Sequence, residues 1–543
     1  MIQEITITLY SATAVEKIDE NLIRKSAAKQ LGCSVKEINE MVLKKKSLDA
    51  RHGKTKFHLR YIVFTGKDKP NYDTSLKLLP KYYNADPQKR VIIVGSGPAG
   101  LFAALKLLEK GITPIIIERG RCTTERKRII AEISRNHTVD RDTNYCFGEG
   151  GAGTFSDGKL YTRSTKRGNP ARVYQILNYF GAQSSILSDA HPHIGTDILP
   201  SVIQNITAKI CQLGGQVLFG YRCTEFLFSK EGFEQSPGGK QICGVVAVNT
   251  ATGEKIQFYG QGVILATGHS ATEIYSILAE IAPQALEAKP FAMGVRVEHP
   301  RRIIDNIQYH GRQKKANLPA AEYRLVTQVE NRGVYSFCMC PGGLVVPSAS
   351  SNEELVVNGM SPSSRSTRWS NAAIVVEVLP EDVEDIIVEP KAMAGLFFRT
   401  KLEQMAKEQG KGQAAPAQRL TDFLVAKESI TLPETSFTPG LVSSRLDLWL
   451  PKHISQRLKV AFYEFDKKMR GFITEHAVLI APETRTSTPV RILRNKETME
   501  CIGIKNLYPA GEGSGYSGGI VSSAIDGEKV AEAIIAKFWQ NEC

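Results

Sequence analysis

The chain has 543 residues, too many for one hydrophobic core, and its 42% hydrophobic and 23% charged content is that of a globular protein rather than a disordered or fibrous one. It has no apolar run long enough to span a bilayer, no basic stretch followed by an apolar one at the N-terminus, and ten cysteines without a Cys-x-x-Cys pair or a Cys/His ligand spacing. These features exclude a membrane span and predict no secretory signal, no bound metal, reduced thiols and a cytoplasmic location.

The excess of 69 Lys/Arg over 56 Asp/Glu, +13, is uneven. Residues 1–90 hold 18 Lys/Arg and 10 Asp/Glu, so +8 lies there and +5 in the remainder. Such a basic segment can meet nucleic acid, an acidic partner or a membrane surface. It carries no ordered nucleic-acid motif, so a solvated basic face is the expectation and nucleic acid is not an expected partner.

Ile5–Tyr10 reads as a strand. Val15, Ile18, Leu22, Ile23 and Leu31 fall at helical spacing, closed by Gly32, and Ser34-Val35-Lys36-Glu37 is a capping box that opens a short second helix. Val42–Ala50 and Phe57–Phe64 read as strands about a turn at His52-Gly53. Residues 1–70 are thus predicted as a small α+β module and 71–88, rich in turn formers, as a linker.

The most informative stretch is Arg90–Gly120. A buried strand over Val91–Val94 runs into Gly95-Ser96-Gly97-Pro98-Ala99-Gly100, which is G-x-G-x-x-G. A helix follows over about Ala99–Lys110, stopped by Gly111, then a strand over Pro114–Ile117 with Glu118 at its end. Gly95 allows the tight turn, Gly97 lets backbone approach a pyrophosphate and Gly100 lets the helix pack on the strand. The helix N-terminus then offers free N–H groups to phosphates. Glu118, 23 residues past Gly95, stands where an acid accepts from ribose hydroxyls. The bland alternative is an ordinary glycine-rich βα turn; the strand, helix and acid in their proper places argue against it.

Arg121–Arg135 is a charged helical stretch. Asn144–Leu160 then holds five glycines in eleven residues, with aromatic and apolar residues interleaved, as suits backbone wrapped around a flat ligand rather than a free surface loop. Lys159 places a cation there. An amphipathic helix (Pro200–Leu213), a strand (Gln216–Phe219) and an antiparallel meander (Cys223–Phe228, Gln241–Asn249, Lys255–Phe258) lead to the buried strand and small-residue turn of Gly262–His269. From Ala271 to Phe472 the βαβ rhythm stops, which predicts a substrate or cap domain. Glu483–Ile492 leads back to the first domain, Leu507–Gly513 is a strand and turn, and Gly518-Gly519 opens a closing helix whose Ile520, Val521, Ala524, Ile525, Val530, Ile534 and Ile535 face inward. The expected division is 1–70, 71–88, 89–270, 271–475 and 476–543. The fold class is α/β: a Rossmann-like dinucleotide-binding domain built from discontinuous segments, with a mixed α+β cap and the small N-terminal α+β module.

Three separated pieces agree: the G-x-G-x-x-G unit with Glu118, the Ala266-Thr267-Gly268 turn, and Ala510-Gly511-Glu512-Gly513 before a glycine-opened helix. Together they resemble the two-dinucleotide-binding-domain flavoprotein superfamily. The strings FGEGGAGTFSDGKL, GVRVEHP, FCMCPGG, VNGMS, ETRTSTPVRI and YPAGEGSGYSGGIVSSAIDG are similar to those of a widespread family of FAD-dependent dehydrogenases, and the likeness covers nearly the whole chain. It implies a non-covalent FAD held by Gly95, Ser96, Gly97, Pro98, Ala99 and Gly100 at the pyrophosphate and by Glu118 and Arg119 at the adenosine end, where Cys223 fills a place often held by valine. It further implies contacts from Gly150, Gly151, Thr154, Ser156 and Lys159, from Thr267 and Gly268, and from Gly511 and Glu512, the glutamate standing where the superfamily usually has aspartate. Gly518, Gly519 and Ile520 would aim a helix N-terminus at the flavin N1/C2=O edge, favouring the anionic reduced ring by about 0.3–2 kcal/mol.

The function expected is a hydride- or electron-transferring oxidoreductase acting on a small molecule at the flavin. There is no second G-x-G-x-x-G, which leaves NAD(P)H bound transiently, an electron-donor protein or the substrate itself as the source of electrons. His269 is a candidate proton donor, against a structural hydrogen bond. Arg485 is a candidate clamp for a carboxylate or carbonyl, against a domain-bridging salt bridge. Cys338 and Cys340 are candidate thiols, against small buried residues. His299 and Arg365 are further pocket candidates. The alternatives are a flavoprotein acting on RNA or a carrier protein through the basic module, and a non-catalytic FAD-binding sensor.

Overall fold

The structure, a computed structural model, describes residues 2–10, 19–50, 55–66, 68, 79–161, 168–229, 240–311 and 318–539. The turn expected at His52-Gly53, Val15 and Ile18 of the first helix, and residues 71–78 of the linker lie outside the described residues.

The N-terminal module is a three-stranded antiparallel sheet, with Lys56–Thr65 between Ile2–Leu9 and Ile38–Asp49. The helix Glu20–Leu31 is capped by Asp19, and Gly32 ends it at φ +66°. The capping box at Ser34 opens a single 3-10 turn rather than a longer helix.

The nucleotide-binding half is a five-stranded sheet in the order Leu507–Pro509, Gly262–Leu265, Asp86–Val94, Ile112–Glu118, Gln216–Phe219, every adjacent pair parallel. Its strands are continuous apolar runs because both faces are covered. Val91 and Ile93 face a cluster that includes the helices Pro98–Leu108 and Ile520–Trp539. Ile92 and Val94 face a second cluster with Phe226, Tyr275 and Leu278. The meander Tyr221–Phe228, Lys240–Asn249, Lys255–Tyr259 pairs antiparallel beside the sheet.

The cap is a seven-stranded sheet ordered Val326–Val329, Arg332–Cys340, Trp369–Val378, Phe291–Pro300, Val478–Glu483, Ala415–Arg419, Leu441–Ser443. This moves the expected boundaries. Val478–Glu483, assigned by sequence to the returning segment, is buried at all six positions between two cap strands. Conversely, the helix Thr272–Ile281 packs in the nucleotide-binding half, and Leu286–Ala288 pairs with Val490–Ile492. The cap thus runs from Phe291 to Glu483. The module's buried residues Ile7, Leu59 and Val63 belong to the same apolar cluster as the cap's Val297, Leu458 and Phe462.

Candidate active site

One cleft of about 970 Å³ runs from the Gly95 turn, past the glycine-rich loop and the N-terminus of the closing helix, to the cap sheet. Gly95 has φ +104°, and a Cβ on it would lie 2.4 Å from the Ala266 carbonyl oxygen. A Cβ on Gly100 would lie 2.0 Å from the Gly95 carbonyl oxygen, so Gly100 serves helix packing and does not line the cleft. Gly97 differs: a Cβ there would meet nothing nearer than the Gly151 Cα at 4.0 Å, and Gly97 lines the cleft with Pro98 and Ala99. Bare backbone at a helix N-terminus therefore faces open space, as a pyrophosphate requires.

Glu118 lines the cleft, but protein donors engage its carboxylate. Oε2 accepts from the Ser96 N–H at 2.9 Å and the Ser96 hydroxyl at 2.8 Å; Oε1 accepts from the N–H of Gly120 and of Gly148, each at 3.0 Å. Ser96 is fully buried and does not reach the cleft. Here Glu118 holds the phosphate turn to the glycine-rich loop, which the ribose expectation did not include. Arg119 stacks on Phe147, 4.1 Å from the ring centre, and pairs with Asp142 at 2.8 Å and Glu273 at 2.6 Å, forming wall. Cys223 is buried and lines that wall.

In the loop, fully buried Arg126 donates to the carbonyls of Asn144, Glu149 and Tyr145 at 2.8–3.0 Å, so the loop is built, not loose. Gly151 and Ser156 line the cleft. Gly150 and Thr154 do not: the Thr154 hydroxyl donates to Glu149 O at 2.7 Å, and a Cβ on Gly150 would strike it. Gly511 also sits behind the wall, at φ +77° with its N–H donated to Asp526 at 2.8 Å. Thr267, Gly268, Glu512, Gly518, Gly519 and Ile520 line the cleft, and a Cβ on Gly518 or Gly519 would meet nothing within 4 Å. His269 lies 3.4 Å (Nδ1) from Glu512 Oε1, while its buried Nε2 has no partner among the described residues.

At the cap end, Lys159 Nζ donates to the Met339 carbonyl and lies 3.9 Å from Asp157. Arg365 holds Asp157 at 3.2 Å and also pairs with Glu322, which His191 meets at 3.1 Å. Burial alone would raise the Glu322 carboxyl; the His191 hydrogen bond and the Arg365 charge bring it to about 2. Cys338, at φ +41° where the strand register shifts, presents its side chain to the cleft, and Cys340 is buried beside it. Burial pushes the Cys338 thiol up to about 12 and raises the Cys340 thiol as well. Both are neutral at pH 7.

Two expectations change. Arg485 touches the cleft but is 7% exposed, and its guanidinium is occupied: Glu403 at 2.8 and 3.1 Å, Glu354 at 2.8 Å, Ser350 at 2.9 Å. It bridges elements and has no fork left for substrate. His299 is fully buried away from the cleft, its Nε2 on the Phe472 carbonyl at 2.8 Å. Sequence reasoning missed Asp157, His191, Glu322 and Arg324 as cleft residues. Asp157 stood two residues before Lys159; the others lie in irregular segments that carry no periodic signal.

A parallel nucleotide sheet, a glycine-lined cleft at a helix N-terminus and a cap closing over it define a dinucleotide-binding flavoprotein. Residues 290–486 match the family described as FAD-dependent protein, C-terminal domain-like; residues 88–141 match an FAD binding domain, and residues 1–64 a domain of unknown function. An uncharacterized protein of Clostridium beijerinckii is 38% identical over 537 residues, covering 96% of this chain and 97% of the relative. The chain belongs to this family of FAD-dependent proteins, and FAD is its cofactor. Among solved structures, the glycerol-3-phosphate dehydrogenase of Bacillus halodurans complexed with FAD is similar at 9% identity and TM-score 0.34, over 86% of this chain and 67% of that one. The E. coli quinol fumarate reductase FrdA is similar at 12% identity and TM-score 0.34, over 86% and 72%. No described helix is long and apolar enough to cross a membrane, and the described residues hold no cluster of three or more potential metal-ligating His, Cys, Asp or Glu side chains.

Proposed function

We propose that this protein is an FAD-dependent oxidoreductase whose small-molecule substrate enters the cap end of the cleft. The observation that carries the reading is that one continuous cleft joins the phosphate turn at Gly97 to the cap cluster of Asp157, Lys159, Arg365 and Cys338. Bound FAD supplies the hydride or electron chemistry. The chain binds and orients: Gly97–Ala99 backbone takes the pyrophosphate, Glu118 fixes the turn, and Gly518–Ile520 brings a positive helix end to the ring edge. His269 Nε2 and Asp157 Oδ1, buried and without partners among the described residues, are the atoms placed to hold or pass a proton. The cap sheet excludes water from the inner end.

The test is anaerobic. Purified protein should show a flavin absorption band. NADH, then NADPH, is added and bleaching followed, with dithionite as the reference. Fast bleaching by one nicotinamide identifies the donor; bleaching only with dithionite points to the substrate or a partner protein as donor. Protein without a flavin band that cannot be reconstituted with FAD would overturn the reading.

A further inference from the structure

The cap end of the cleft narrows the class of substrate. Its acidic, basic and imidazole side chains are Asp157, Lys159, His191, Glu322, Arg324 and Arg365. The carboxylates are largely committed, Glu322 to Arg365 and His191, and Asp157 Oδ2 to Arg365. Arg365 pairs with both carboxylates and Lys159 lies 3.9 Å from Asp157, so Arg324 is the cation left over. Arg324 is exposed and has no hydrogen-bond or ion-pair partner among the described residues. Glu322 and Arg324 both line the cleft from the irregular segment that precedes the strand Val326–Val329. Lys159 Nζ, beside Asp157, donates to the neutral Met339 carbonyl. Arg365 keeps a buried Nε without a partner among the described residues. At the rim, the module's Lys45 is close enough to act on His191, and Lys46 of the same strand bonds to the segment that carries His191. One acceptor stands among these donors: Asp157 is 4% exposed, and its Oδ1 is buried without a partner among the described residues. A buried polar atom of this kind calls for a donor.

We propose that the cap end binds an organic acid, its carboxylate or phosphate held by Arg324 and Lys159, with a hydroxyl or amino group of the same molecule donating to Asp157 Oδ1. This rests on the oxidoreductase reading and names the substrate class for that site. A simple cation is disfavoured because it would meet three cationic side chains; a neutral polyol would leave Arg324 without a counter-charge.

The test uses the FAD-loaded full chain and reads the flavin absorption difference spectrum, which responds to ligands beside the ring. Glycerate, malate, inorganic phosphate, glycerol and ethanolamine are titrated at low and high salt. Glycerate or malate should give a saturable shift that weakens with salt, and glycerol and ethanolamine none. Arg324→Gln should weaken acid binding about tenfold, the loss of one ionic contact. Arg324 is exposed and unpartnered, so this variant should fold; Lys159→Gln is the second probe. Displacement of the acids by phosphate assigns the anionic group as phosphate, and failure to displace assigns it as carboxylate. No shift with either acid, equal binding in Arg324→Gln, or preference for ethanolamine overturns the proposal. Protein that carries a reducible flavin yet ignores the acids defeats this inference alone; protein without flavin defeats the oxidoreductase reading.

Discussion

Gly95 and Gly97 sit two residues apart in one turn and carry different loads. At Gly95 a side chain meets the Ala266 backbone at 2.4 Å under a φ of +104°, so neither space nor conformation admits it. At Gly97 the protein leaves room, and a methyl group would take up space in the cleft where we propose that the pyrophosphate binds. Gly97→Ala should therefore fold with a near-normal urea midpoint yet bind FAD about tenfold or more weakly, whereas Gly95→Ala should fail to give soluble, cooperative protein. FAD titration by fluorescence quenching, alongside urea melts of the apo-protein, separates the two. His299 sets a pH response. Burial lowers its pKa from 6.5 to about 4, and the imidazole stays neutral in the core. Below pH 6.5 the unfolded chain takes up a proton that the folded chain refuses. Stability is thus full above pH 6.5, falls as pH drops toward 4 by at most about 1.4 kcal/mol per unit, and levels below. Urea melts across that range should show this slope in the parent and not in His299→Gln.

At the scale of elements, Arg485 ties the segment after the cap strand Val478–Glu483 to the helix Ala394–Gln409 through Glu403, and to Glu354. Removing one member of such a buried network leaves uncompensated charge, so Arg485→Ala should lose about 3–5 kcal/mol of stability in denaturant melts. A substrate clamp would instead change KM with the melt unmoved. The sequence could state that Arg485 re-enters the nucleotide half, but not that Glu403 and Glu354, more than eighty residues away, would meet it. The nucleotide-binding elements were legible because their chemistry is local: a strand, a turn and a helix within thirty residues, with both faces of the strand apolar. Even there Glu118 was only half legible, since its tie to Gly148 depends on how a distant loop returns. The strand Val478–Glu483 reads like a buried strand of either sheet, and only pairing with Phe291–Pro300 assigns it to the cap. Glu322 and Arg324 gave no signal because an irregular segment has no period to break.

For the whole molecule, the open question is whether the N-terminal module is an appendage or part of the cleft wall. The Lys46 N–H donates to Ser188 O at 2.7 Å, and the Ala190 N–H returns to Lys46 O at 2.9 Å. Two residues on, Pro192 O accepts from the Leu160 N–H at 2.9 Å, and the Ile194 N–H donates to Gly158 O at 3.1 Å. One ladder therefore runs from the module, through the strip that carries His191, to the loop that carries Asp157 and Lys159. Apolar packing reinforces it, because the fully buried Leu59 belongs to the cap's own core cluster. Leu59→Ala should remove about 2–5 kcal/mol from the module's local stability. If the wall and module open together, amide exchange should accelerate at Ala190 and Leu160 as well as within Lys56–Thr65, while the strand Asp86–Val94 keeps its protection. Faster exchange confined to the module would mean that it rides on the cap without shaping the cleft, and Lys45 would then act on incoming acids only as a diffuse charge. Faster exchange through Leu160 would make the module a structural part of the substrate end, and the cleft's geometry would depend on residues that precede the nucleotide-binding half in the chain.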